Sequence, residues 1–230
     1  VNKDGVREIA DLILPRVCPV CREVLSGVER EICMDCLSSL PLTYFWSYRN
    51  NPAEELFWGK VYFQRACSLF FYGDDSPYRR LIHELKYNGR CEIGTLLGSI
   101  LGRRMKESGL YSDLNLVTAV PVSPFKQWTR GYNQAEVIAK AISKELGISL
   151  ISGALKKRLF VSSQTTKNPQ ERWRNASASF RLAREKEICG RHILLVDDVL
   201  TTGATLEACG TSLLSASECR VSAATLAFVE

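Results

Sequence analysis

The chain has 230 residues, of which 46% are hydrophobic and 24% are charged, and its formal net charge is +5. This composition is typical of a soluble globular protein and excludes a disordered, collagen-like or low-complexity chain. The length fits one domain of ordinary size with a small additional module, and such a chain can bury a sizeable core without disulfides.

The first segment, up to Pro15, carries apolar residues at helical spacing, and the proline ends this predicted helix. Charged residues interrupt it, so it lacks the apolar core of a signal peptide. Elsewhere no apolar run approaches the roughly 18 residues that a membrane-spanning helix requires. We therefore expect a protein that does not associate with membranes.

Four of the nine cysteines form two Cys-x-x-Cys pairs, Cys18/Cys21 and Cys33/Cys36. Two such pairs supply four thiolates that can surround one Zn²⁺ tetrahedrally, with no position left open for catalysis. The pattern therefore predicts one structural zinc ion, with unliganded core cysteines or a redox dithiol as alternatives. An odd number of cysteines without a signal sequence favours the reducing cytoplasm.

The chain divides into a helix and zinc-ribbon module at 1–45, an aromatic connection at 46–60 that we expect to pack, and a larger domain at 61–230. Strands rich in Val, Ile and Leu alternate with helices in the larger domain, which predicts an α/β fold with a twisted parallel sheet and helices on both faces. The predicted strands are 66–72, 116–122, 193–196 and 221–229, and the predicted helices are 77–86, 93–107, 134–146 and 204–215.

The strongest functional pattern lies at 193–205. Four apolar residues form a central strand that ends in Asp197 and Asp198, and a Thr-Thr-Gly-Ala-Thr turn then opens a helix. The N–H groups, hydroxyls and helix dipole of this turn suit a phosphate monoester, and Gly203 lets the backbone approach it closely. The adjacent carboxylates make sense if they hold ribose hydroxyls or a Mg²⁺ that arrives with the ligand.

All thirteen positions of this segment resemble the 5-phosphoribosyl-1-diphosphate (PRPP) signature of the type I phosphoribosyltransferases. The resemblance implies the fold of those proteins, with Asp197 and Asp198 facing the 2′- and 3′-hydroxyls of the ribose. It implies that the 5-phosphate is cradled by Thr201, Thr202, Gly203, Ala204 and Thr205. The alternative is an ordinary strand–turn–helix with capping threonines.

A four-cysteine ribbon in front of such a domain resembles the ComF family, which is linked to DNA uptake in naturally competent bacteria. Further likeness is carried by residues 81–87, 119–122 and 130–134, and by Lys157, Arg158, Gln164, Thr165, Arg172 and Asn175. Two positions depart from the family pattern. The stretch Trp128-Thr129-Arg130 keeps only one of the two arginines often present there, and Leu159 follows Arg158 where the family commonly has a proline.

The resemblance implies a pyrophosphate loop made of Arg130, Gly131, Tyr132, Asn133 and Gln134. Gly131 would allow close approach and Arg130 would offer a donor fork, whereas a capped loop with a solvated arginine is the alternative. Residues 151–191 carry a net charge of +7 and would form a mobile cover with Arg158, Gln164 and Arg172. Arg172 and Arg174 could contact either pyrophosphate or a nucleic acid backbone.

Two functions remain open. In the first, Asp197, Asp198 and Arg130 bind PRPP with Mg²⁺ and phosphoribose is transferred to an unidentified nitrogen acceptor. In the second, the chain is a non-catalytic PRPP sensor or an adaptor for single-stranded DNA and a partner helicase, as the ComF resemblance implies. Exposed tryptophans would assist DNA binding, but we interpret Trp46, Trp128 and Trp173 as packing residues. His83 and His192 are interpreted as surface or strand-edge residues without a catalytic role, and the oligomeric state is left open.

Overall fold

A computed structural model describes residues 15–73, 75–157 and 179–229. Its strands are β1 (Ala66–Phe71), β2 (Leu116–Ala119), β3 (Ser149–Leu150), β4 (Leu155–Lys157), β5 (Phe180–Leu182), β6 (His192–Leu200) and β7 (Arg220–Phe228). Five of them form a parallel sheet in the order β1-β7-β6-β2-β3, and β4 pairs with β5 in a separate antiparallel ladder.

Helices cover both faces of this sheet. The α-helices within the described residues are α1 (Met34–Ser38), α2 (Pro52–Glu55), α3 (Arg79–Tyr87), α4 (Cys91–Ser108), α5 (Pro124–Arg130), α6 (Gln134–Leu146), α7 (Glu185–Ile188) and α8 (Ala204–Leu214). The connections from β1 to β2 and from β2 to β3 run in one direction across the sheet, and that from β6 to β7 runs in the other. Right-handed crossovers therefore place α4 and α6 on one face and α8 on the opposite face. The predicted α/β architecture is confirmed.

The central strand β6 is longer than its apolar run. Residues 193–196 are completely buried, yet the strand continues through the two acids to Leu200. Backbone pairing explains the extension, because β7 provides partners for Asp197, Val199 and Leu200. The strand predicted at 193–196 is therefore too short, and the carboxylates project from a paired strand.

A short helix between β2 and α6 was not expected. The strand predicted at 116–122 ends at Ala119, and α5 then begins at Pro124, where the Ser123 hydroxyl accepts the N–H of Lys126 at 3.3 Å. No residue of α5 is buried, so it has no apolar stripe that could reveal it in the sequence. Trp128 is 82% exposed on this helix, which makes its interpretation as a packing residue wrong.

The aromatic segment before β1 packs onto the sheet. The N–H of Thr43 donates to the carbonyl of Leu69 at 3.0 Å, which aligns this segment with the outer edge of β1. Phe45 and Trp46 are buried, as is Asn51, whose side-chain amide donates to the carbonyls of both Phe45 and Ala66. Phe45 and Trp46 thus contribute to the core, and the expected packing of Trp46 is confirmed.

The helix predicted at the N-terminus lies outside the described residues. Within the part of the chain that the structure describes, no helix combines the length and the apolar character needed to cross a membrane.

Glycines set the distance between α4 and α6. A Cβ atom added at Gly98 would lie 3.0 Å from both the carbonyl oxygen of Ile138 and the Cβ of Ala141. Neither atom can rotate away, since one belongs to the backbone and the other is fixed to it. The packing of this face therefore depends on the missing side chain.

We expect Gly98→Ala to lower the thermal unfolding temperature. Alanine gains roughly 1 kcal/mol in helix propensity, but overpacking costs about 1–3 kcal/mol, and a rigid neighbour places the cost in the upper part of that range. Thr95→Ala is the matched control because Thr95 is exposed on the same helix. Thermal unfolding of both variants tests this, and a Gly98→Ala protein as stable as the control would contradict it.

Candidate functional site

The two acids lie at the carboxyl end of the central strand and point to opposite faces of the sheet. The carboxylate of Asp198 lies 3.1 Å from the ammonium of Lys86, at the end of α3. Asp197 accepts the backbone N–H of Asp198 at 2.9 Å, and its charge raises the pKa of Cys209 on α8, where burial has the larger effect. The acid pair is thus framed by α3 on one side and α8 on the other.

Burial and the neighbouring charge act together on Asp197. Burial is the main cause that raises its pKa, the carboxylate of Asp198 adds to the rise, and the N–H of Asp198 and the Lys86 ammonium oppose it, for a pKa of about 8. The pair therefore holds less than two full negative charges at neutral pH. Ligand hydroxyls can donate to the carboxylate oxygens of such a pair.

The turn that follows has the geometry of an anion seat. Gly203 adopts a φ of +77° as the N-cap of α8, a conformation that favours glycine. A Cβ at this position would lie 2.8 Å from the Cε1 atom of Phe57, so glycine is required by packing as well. Thr201, Thr202, Ala204 and Thr205 are exposed, and the first N–H groups of α8 lack acceptors within the helix.

The segment expected to form the pyrophosphate loop lies across the end of β2. Arg130 is the last residue of α5, and Gly131 follows with a φ of +80°. Asn133 caps α6 by accepting the N–H of Ala135 at 3.1 Å, and its amide donates to the carbonyl of Val120 at 3.0 Å. Gln134 is buried. Arg130 is thus the member of this segment whose charged side chain can serve a ligand.

The last turn of α3 joins this segment to the acid pair. The guanidinium of Arg130 lies 5.1 Å from the centroid of the Tyr87 ring, within the range of a cation–π contact. The hydroxyl of Tyr132 donates to the carbonyl of Leu85. Lys86, which pairs with Asp198, lies between Leu85 and Tyr87 in the chain. The sequence of this helix resembles the ComF pattern, but it indicates no role for Lys86 and Tyr87 because their partners are distant in the chain.

The four cysteines come together at the N-terminal ribbon. The sulfur atoms of Cys18, Cys21, Cys33 and Cys36 all lie within 4.8 Å of one another. Arg22, in the turn that follows Cys21, has a φ of +73°. The N–H of Cys36 donates to the sulfur of Cys33 at 3.4 Å.

The chemistry of this cluster fits a dication. Burial raises the pKa of Cys36 and the neighbouring thiols raise it further, whereas N–H groups lower the pKa of Cys18 to about 7 against the effect of its burial. Charge on one thiol disfavours charge on the next, and a bound dication relieves that repulsion. Four cysteines at this spacing could hold one zinc ion.

The ribbon is attached to the same helix that faces the acid pair. The guanidinium of Arg80 donates to the carbonyl of Val20 at 2.7 Å, and the hydroxyl of Tyr78 donates to the carbonyl of Cys36 at 3.1 Å. Arg90 pairs with Glu31 at 2.9 Å. The start of α3 therefore holds the cysteine module, and its end holds the acid pair and the Arg130 segment.

Two large cavities lie away from the acid pair. One, of about 680 Å³, lies at the carboxyl ends of β2 and β3 and contains Lys156, Lys157 and Arg181. The other, of about 850 Å³, reaches the amino end of β6 at His192. Neither is lined by the acids or by residues 201–205. Cavity volume therefore does not mark the candidate site, which is defined by its charged groups.

Other predicted residues fall into two groups. Arg158, Gln164 and Arg172 of the expected cover lie outside the described residues, as do Arg174 and Trp173. His83 is exposed on α3, whereas His192 is buried at the start of β6, where its ring contacts Ser222 at 2.9 Å. His192 is thus a core residue at the end of the strand remote from the acids, and not a surface residue.

Comparisons with known proteins agree with this geometry. The family described as the phosphoribosyl transferase domain matches residues 132–229. The "DNA utilization protein YhgH" of Escherichia coli K12 is 28% identical over 193 residues, which cover 83% of this chain and 80% of that protein. "Competence protein F" of Haemophilus influenzae is 33% identical over 56% of this chain and 58% of its own length. "Competence protein ComFC" of Bacillus subtilis is 26% identical over 88% of this chain and 73% of its own length.

The fold and the matched domain define a phosphoribosyltransferase-like protein. The four-cysteine ribbon ahead of that domain and these relatives along the chain support a protein of the ComF family.

We expect Asp197→Asn to become more stable relative to the wild type as the pH rises from 6 to 9. The pKa of Asp197 in the folded protein lies above that of an unfolded aspartate. Its contribution to stability is therefore present at low pH and lost as the pH rises through about 8. Asparagine resembles the protonated acid and cannot ionise. Thermal unfolding at several pH values measures the effect.

Asp75→Asn is the control, because it removes a carboxylate that is exposed. A difference between Asp197→Asn and the wild type that does not change with pH would contradict this account of the acid pair.

Proposed function

We propose that this protein binds PRPP together with Mg²⁺ at the carboxyl end of β6. The observation that carries the proposal is the acid pair on the central strand, followed directly by the glycine-capped turn of α8. The carboxylates can accept hydrogen bonds from hydroxyl groups. The N–H groups of the turn that follows them can bind a phosphate monoester. Ribose 5-phosphate carries hydroxyl groups for the carboxylates at one end and a phosphate monoester for the N–H groups at the other.

Each part of the ligand has a partner in this arrangement. Residues 201–205 bind the 5-phosphate through backbone N–H groups and hydroxyls, and Asp197 and Asp198 accept the ribose hydroxyls. Arg130 and the backbone of 131–134 face the 1-diphosphate, for which a guanidinium is a suitable donor. Asp197, Asp198 and the phosphates are oxygen ligands of the kind that Mg²⁺ prefers, and the bound ion would neutralise the diphosphate.

In a transferase reaction the bond between C1 and the diphosphate oxygen breaks, and its electron pair leaves with pyrophosphate. A nitrogen lone pair of the acceptor forms the new bond to C1. The chain's own part is to orient the ribose through the acid pair, to fix the 5-phosphate and to stabilise the departing charge through Arg130. We therefore propose transfer of phosphoribose to a nitrogen acceptor.

A specific observation favours a second function. Phe125 and Trp128 are three residues apart on α5, and both are strongly exposed. Lys126 and Arg130 add positive charge to the same helix. Exposed aromatic rings with neighbouring cations suit the bases and phosphates of a single strand. The relatives named for competence and DNA utilisation add a link to DNA, and as the second function we propose an adaptor for single-stranded DNA and a helicase.

The ribbon would hold one Zn²⁺ through Cys18, Cys21, Cys33 and Cys36, in a structural role. Four protein ligands complete a tetrahedral site and leave no position for a substrate. The ion would keep the knuckle carbonyls in place for Arg80 and Tyr78.

Calorimetric titration with PRPP and Mg²⁺ tests the main proposal. We expect saturable binding by the wild type and a loss of at least about 100-fold in affinity for the Asp197→Ala/Asp198→Ala protein, because two partly buried acceptors of the ribose hydroxyls are removed. Asp75→Asn serves as the control and should bind like the wild type. No binding by the wild type would contradict the proposal.

The same preparation separates the two functions. Release of pyrophosphate with a nitrogen acceptor identifies a transferase, whereas PRPP binding without release across candidate acceptors favours the sensor or adaptor. A salt-dependent affinity for single-stranded DNA that falls in Trp128→Ala supports the adaptor. Equal DNA affinity in Trp128→Ala and the wild type removes α5 from that role.

Metal analysis tests the ribbon. We expect about one zinc ion per chain, and a loss of zinc with a lower unfolding temperature in Cys33→Ser/Cys36→Ser, since the metal contributes to folding. Cys189→Ser is the control, because Cys189 is exposed and lies outside the cluster. Zinc well below one per chain in the intact wild type would contradict the assignment.

A further inference from the structure

The last turn of α3 places a second cation beside the groups assigned to PRPP. The ammonium of Lys86 lies 3.1 Å from Asp198, and the side chain of Lys86 is 25% exposed whereas that of Asp198 is 13% exposed. The contact uses one of the three donors of the ammonium. Lys86 therefore forms an ion pair with Asp198 and is still accessible to a ligand.

Both chain neighbours of Lys86 contact the segment assigned to the diphosphate. Tyr87, its neighbour in the chain, stacks against the guanidinium of Arg130. Leu85, on its other side, accepts the hydroxyl of Tyr132 through its backbone carbonyl. Three consecutive residues of α3 thus contact the acid pair and the Arg130 segment, which brings the two halves of the site together.

The chemistry of the ligand places its diphosphate close to this ammonium. The diphosphate is bonded to C1, and the 2′-hydroxyl is carried by the adjacent carbon. A carboxylate that accepts a ribose hydroxyl is therefore only a few bonds from the diphosphate oxygens. A strongly anionic group next to two acids requires a nearby cation, because like charges in a partly buried site repel strongly.

We propose that Lys86 binds the 1-diphosphate of the ligand while it remains paired with Asp198, so that it selects PRPP over ribose 5-phosphate. This role rests on the proposed function of the site. Lys86 and Arg130 are then the two cations that bind the diphosphate. Lys86 is positioned by its ion pair with Asp198, and Arg130 by its cation–π contact with the ring of Tyr87. A lysine that only neutralises Asp198 would act equally on both ligands, since both carry the same ribose hydroxyls.

The test compares the affinities of PRPP and ribose 5-phosphate, each with Mg²⁺, for the wild type, Lys86→Met, Lys86→Gln and Lys86→Arg. We expect Lys86→Met and Lys86→Gln to lose about tenfold or more in PRPP affinity, the effect of one charge-assisted hydrogen bond. Ribose 5-phosphate affinity should change by no more than about twofold. Lys86→Arg should recover most of the PRPP affinity because it keeps the charge.

Lys140→Met is the control, since Lys140 is exposed on α6. The glutamine variant, with a polar end, covers the case in which methionine is not tolerated, and thermal unfolding confirms that the variants are folded. An equal loss for both ligands, or no loss for either, would overturn the role of Lys86 while PRPP binding by the wild type stands. A wild type that binds neither ligand would overturn the proposed function itself.

Discussion

The candidate site depends on two adjacent carboxylates on a paired central strand, one of them held by an ammonium from a distant helix. Without Lys86, Asp198 would lie next to Asp197 with only its own backbone and β7 to position it. Pairing with β7 keeps the strand extended through both acids, so that they point to opposite faces. The glycine-capped turn then begins at a fixed distance from them.

Helix α3 connects three parts of the molecule. Its start binds the cysteine ribbon through Tyr78 and Arg80, and its end binds Asp198 and the Arg130 segment. The ribbon and the acids are therefore joined by one helix of nine residues. The aromatic segment before β1 acts on the other side, where Phe57 packs against Gly203. Both N-terminal segments thus contact a candidate site whose proposed anion-binding residues come from the phosphoribosyltransferase-like domain.

Local sequence patterns predicted the groups of the candidate site better than their surroundings. The acid pair, the turn at 201–205 and the four cysteines are contiguous motifs, and the parallel sheet followed from the apolar strands between helices. The end of β6 was missed because its pairing with β7 is a tertiary contact. Helix α5 has no buried face, so nothing periodic marked it, and Trp128 was wrongly assigned to packing. Lys86 and Phe57 contact partners more than 100 residues away in the chain, which local sequence patterns do not reveal.

The most direct measurement is a crystal structure of the protein with PRPP and Mg²⁺. It should show the 5-phosphate on residues 201–205, the ribose hydroxyls on Asp197 and Asp198, and the diphosphate between Lys86 and Arg130. Electron density for the ligand in the cavity at the carboxyl ends of β2 and β3, with no ligand atom in contact with Asp197 or Asp198, would contradict the account.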